Sequence, residues 1–134
     1  MEIPAKVMAE TACYWIREHE RQFKTLMLLI HEQVDDGSPC VQEGDMAMLA
    51  RKHGIEWSEI KELKRDHNMW AVLTRYMVML SPSLAKALHF RKSKVDDIDL
   101  QAIWYSIMPK QTFFRVGSWQ EAKEAVKNND VSAD

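Results

Sequence analysis

The sequence predicts a mainly α-helical fold: a compact helical domain with a helix-turn-helix-like unit and one short β-strand or hairpin near residues 111–116. Three observations predict it. Nine Met beside many Leu, Ala, Lys and Glu favour helices, whereas four Gly, four Pro and 9% aromatic residues are too few for a small all-β protein. The 134 residues, 46% hydrophobic and 28% charged, suit one globular domain that buries a core without staples. Apolar positions also recur at three- and four-residue steps along much of the chain, which places them on single faces of helices.

The elements follow in chain order. Met8, Ala12, Trp15, Phe23, Leu26 and Ile30 form an apolar stripe with His19 in its one gap, and Pro4 suits a first helical turn, so a long helix is expected over 5–34. Its apolar stripe either faces the core or, at near-heptad spacing, offers Trp15 and Phe23 to a partner. The run "DDGSPC" at 35–40 marks a loop. A helix-turn-helix-like unit is expected over 45–66, and a further helix runs up to Ser81-Pro82. A short helix from Pro82 precedes "RKSKVDD" at 91–97, three cations before acids, which reads as a solvated loop. "DLQAIWYSIM" puts Leu100, Ile103, Trp104 and Ile107 on one face of a helix ended by Pro109. "QTFFRVG" has strand composition, and Ser118 to Glu121 has the spacing of a capping box for a last helix to about Lys127. Residues 1–128 therefore read as one domain and 129–134 as a frayed polar tail.

The segment "MAMLARKHGIEWSEIKELKRD" has the spacing of two short helices across a tight turn. Ala50 is the small residue of the first helix, Gly54 the turn glycine, and Ile55, Ile60 and Leu63 the inward anchors. Arg51, Lys52, Ser58, Lys61, Lys64 and Arg65 are the donors such a unit would offer to phosphates or bases, and Arg65 has the bidentate geometry that suits guanine. Glu56, Glu59 and Glu62 share the same two turns and would repel phosphate, so the alternative reading is a plain helical hairpin. An outward Trp57 would then call for a protein partner.

The formal charge of −2 lacks the basic excess usual in a stand-alone DNA-binding domain. Two Cys, Cys13 and Cys40, and five scattered His have no zinc-ligand spacing, so no metal or cofactor is expected. No phosphate loop, HExxH or nucleophile elbow is present, and the reading is not an enzyme. The longest apolar run, "LMLLI", is too short to span a bilayer, and with no signal-like start a cytoplasmic location is expected.

Over 84–126, Ala87, Leu88 and Phe90, then 100–107, then Phe113, Phe114, Arg115 and Val116 follow one another in an order that resembles the D-subunit family of the flagellar master transcriptional regulator and its conjugative-element relatives. The resemblance implies an α-rich dimeric regulator that binds DNA together with a second, different subunit. The function expected is thus DNA-binding transcription regulation, as a dimer or within a heteromer. The alternative is a small phage or mobile-element module that docks on a host protein complex as an inhibitor or adaptor.

Overall fold

The computed structural model describes residues 4–35, 69–88, 93–108 and 117–128, together with 48 and 90. Among them the chain is mainly α-helical, with no strand: α1 (Ala5–Glu18), α2 (Glu20–Asp35), α3 (Met69–Leu80), α4 (Leu100–Ile107) and α5 (Trp119–Asn128), plus 3-10 turns at Pro82–Ala87 and Lys94–Asp97. The expected helix-turn-helix-like unit, the strand near 111–116 and the polar tail fall outside the described residues, apart from Met48, which is helical and exposed.

The helix expected over 5–34 is two helices. His19 leaves helical geometry at φ −132°, ψ 42°. Its backbone N–H donates to the Trp15 and Ile16 carbonyls, and its ring stacks on Trp15 at 4.4 Å with Nδ1 at 2.9 Å from the Trp15 oxygen. That nitrogen faces a carbonyl, so it carries the proton. The His19 carbonyl then accepts from Phe23 N–H to start α2. Met8, Ala12, Trp15, Phe23, Leu26 and Ile30 are nevertheless all buried, whereas Val7 at the stripe's edge is exposed. The periodicity located the core face correctly; the gap it passed over is where the axis breaks.

α3 is the centre of the molecule, packing against α1, α5 and the first 3-10 turn. Val72 to Met79 are all buried, as an almost wholly apolar helix requires when neighbours surround it. Tyr76 fixes α3 to α1 by donating its hydroxyl to the Ala9 carbonyl at 2.8 Å, and its ring leans on Trp104 of α4. The small Ala9 and Ala12, both fully buried, let α1 approach this closely. His31 of α2 meets the Ser81 hydroxyl at the end of α3, 3.1 Å away.

α4 spans the expected residues, with Leu100, Ile103, Trp104 and Ile107 buried. Asp99 caps it, its Oδ1 accepting from Ala102 N–H. At α5 the Ser118 hydroxyl accepts from Glu121 N–H and the Ser118 carbonyl from Ala122 N–H. Gly117 lies against α3: its N–H donates to the Met79 carbonyl, and a Cβ there would lie 2.8 Å from that oxygen.

Candidate functional site

The "RKSKVDD" stretch is not the solvated loop its composition suggests. Ser93 and Asp96 form a reciprocal capping box that turns Lys94–Asp97 into a 3-10 helix, and Val95 is buried. Asp96 then receives Arg75 from α3: Nε donates to Oδ1 at 2.5 Å and Nη2 to Oδ2 at 3.2 Å. Arg75 is 1% exposed and Asp96 24%, so the cation is buried and its counter-ion stands at the rim. The remaining guanidinium edge donates through Nη1 to the Ala71 carbonyl, and its carbon lies 5.4 Å from the Phe90 ring centroid. A buried guanidinium needs this degree of satisfaction, because a desolvated charge without partners costs several kcal/mol.

This pair fixes one wall of an open polar recess of about 220 Å³. Asp97 lines it from the 3-10 turn, Ile98 and Asp99 from the link to α4, Gln101 from α4, and Gln120 and Lys123 from α5, over the buried Trp119. The N-terminal ends of α4 and α5 meet here because Gln101 Oε1 accepts the Trp119 N–H at 3.0 Å, which supplies α5 with a first-turn partner from another helix. The recess thus presents carboxylates, an amine and amides to solvent. It has the means to hydrogen-bond a polar partner, and among the described residues no group of three or more His, Cys, Asp or Glu is placed to hold a metal ion.

A second polar cluster lies inside the core. Cys13 is fully buried with a free thiol beside Tyr76. Burial pushes the thiol up to about 12, against which the neighbouring Tyr76 hydroxyl acts only in part. Burial likewise raises the Tyr76 hydroxyl, and the nearby Cys13 adds to the rise. Both groups are therefore neutral, and a thiol that stays protonated is a poor nucleophile.

The sequence-derived site residues divide into two sets. Arg51, Lys52, Ser58, Lys61, Lys64, Arg65 and Trp57 lie outside the described residues. Trp15 and Phe23 are described and are core residues, 7% and 0% exposed, so the partner-facing role suggested for them is corrected. The stripe is covered by the chain itself, α1 packing against α3 and α4, and α2 against the first 3-10 turn.

Sequence reasoning did not single out Arg75, Asp96 or the Cys13–Tyr76 pair, and it named Phe90 only for the family resemblance. One signal for the first was present: Arg75 is the lone charge in "MWAVLTRYMVML", and a cation in so apolar a helix needs a counter-ion from elsewhere in the chain. No described helix is long and apolar enough to cross a membrane. No family model, curated protein or solved structure matches the chain.

Proposed function

We propose that the chain is a cytoplasmic DNA-binding transcriptional regulator that reads DNA through residues 46–65 and acts as a dimer or with a second subunit. The observation that carries this reading is the spacing of Ala50, Gly54, Ile55, Ile60 and Leu63, which meets the packing needs of a helix-turn-helix. Arg51, Lys52, Ser58, Lys61, Lys64 and Arg65 supply the donors, of which Arg65 and Lys61 would sit on the reading helix. The three glutamates and the overall charge of −2 explain why a partner is part of the proposal: a near-neutral subunit gains affinity when another surface adds cations. The resemblance of residues 84–126 to the flagellar-regulator D subunits supports the same division of labour.

The test is selection of bound fragments from a pool of source-genome DNA, followed by titration of the enriched sequence at several salt concentrations. A shared motif should emerge, its affinity should fall steeply with salt, and Arg65→Ala should weaken it by about 1–3 kcal/mol. No enriched sequence, or binding indifferent to salt, sinks the reading.

A second reading, a module that docks on a host protein, is favoured by one observation: Tyr14, Leu28 and Tyr105 are each at least half exposed. A host complex that survives nuclease and ignores charge reversal at Lys61 and Arg65 would support it over DNA binding.

A further inference from the structure

α1 has a second face. Opposite the core, Val7, Thr11, Tyr14 and Glu18 follow one another at steps of four, three and four, and so line up along one side of the helix. Val7 is 46% and Tyr14 50% exposed, although the helix carries six buried residues on its other side. Thr11 between them is small, and its hydroxyl already donates to the Val7 carbonyl at 2.7 Å, so covering it strands no donor. Arg17 is exposed and Glu10 half-buried, and at a seven-residue spacing both fall on the same flank of this stripe.

We infer that this face docks a second copy of the chain, with the two α1 helices antiparallel across a twofold axis and Tyr14 at their crossing. The charge pattern selects that occupant. A twofold interface sets one patch against itself, so residue i opposite residue j implies j opposite i. In an antiparallel helix pair the same flank of each helix meets, which is favourable only if opposite charges stand on either side of the crossing. Glu10 precedes Tyr14 by four residues and Arg17 follows it by three. Each Glu10 therefore falls opposite the partner's Arg17, twice per dimer.

Arg17 is already oriented for this. Its Nη1 donates to the Ile107 carbonyl at the end of α4, 3.3 Å away, which holds the guanidinium at the α1–α4 seam. Tyr105, 64% exposed and two residues earlier on α4, adds apolar surface beside that seam. One helix pair plus a tyrosine rim is at the small end of specific interfaces, so the dimer is concentration-dependent. The inference deepens the proposed function by naming the partner as a second copy. Its test reads mass and not DNA, so either can fail alone.

The experiment is sedimentation equilibrium of the full chain over a wide concentration range, with far-UV circular dichroism confirming that each variant is folded. The wild type should move from one chain mass to two. Tyr14→Glu should leave it monomeric, and E10R or R17E alone should weaken association about tenfold or more. E10R and R17E together should recover most of it, because the pair is then reversed and intact. A monomer at every concentration overturns the proposal. So does a dimer indifferent to Tyr14→Glu, or a double variant no tighter than either single one.

Discussion

Asp96 is half of a pair whose other half is hidden. Replacing it by Ala leaves the Arg75 guanidinium 1% exposed with its bidentate partner gone. The loss should be about 3 kcal/mol, read as a lower urea midpoint, while Arg75→Met combined with Asp96→Leu should cost far less because no charge is stranded. Cys13 yields a pH prediction. Its folded value of about 12 exceeds the ordinary 9, and Tyr76 is raised as well, so the folded state holds these protons more tightly than the unfolded one. Below about pH 9 both states keep the Cys13 proton and the full stability is present. As pH rises from 9 towards 12 the unfolded chain releases it first, so stability should fall, with urea midpoints dropping across that same interval. Cys13→Ala should remove part of that slope. The native thiol should also resist iodoacetamide at pH 8 and react once urea unfolds the chain.

At the scale of elements, ends and junctions carry the information. Asp99 supplies the cap of α4, and Asp99→Ala should cost about 1 kcal/mol of stability. Gly117 is a matter of close approach: alanine there drives a Cβ into the Met79 carbonyl, which is backbone and cannot rotate away. Gly117→Ala should destabilise by roughly 1–3 kcal/mol in thermal or urea unfolding, since α3 or α5 must shift to admit it. The break at His19 shows why element boundaries are harder to read than element faces. A single non-helical residue whose own ring supplies local hydrogen bonding leaves the three- and four-residue spacing of Trp15, Phe23, Leu26 and Ile30 intact, so periodicity alone is blind to it. Where an end is set by a local side chain, as with Asp99, Ser118 and Ser81-Pro82, the sequence places it within a residue or two.

For the molecule as a whole, the reassignment of Phe23 separates stability from binding. Phe23 is fully buried, so Phe23→Ala should lower global stability by about 3–5 kcal/mol, measured by denaturant unfolding. A binding residue on the surface would have left stability nearly unchanged. Among the described residues, apolar side chains do face solvent on the opposite side of α1, at Val7 and Tyr14. Periodicity finds an apolar stripe, but it does not say whether the chain itself covers it.

What the sequence determined by itself was the helical class, the buried faces of α1, α2 and α4, and the start of α5. These depend on neighbours within about four residues, and so they are written in local order. Tertiary structure decided that α3 is central, that Arg75 reaches Asp96 twenty-one residues on, that Cys13 sits against Tyr76, and that Gln101 supplies the first turn of α5. Each of these joins residues far apart in the chain, and only the packing of α3 among its neighbours brings them within hydrogen-bonding distance.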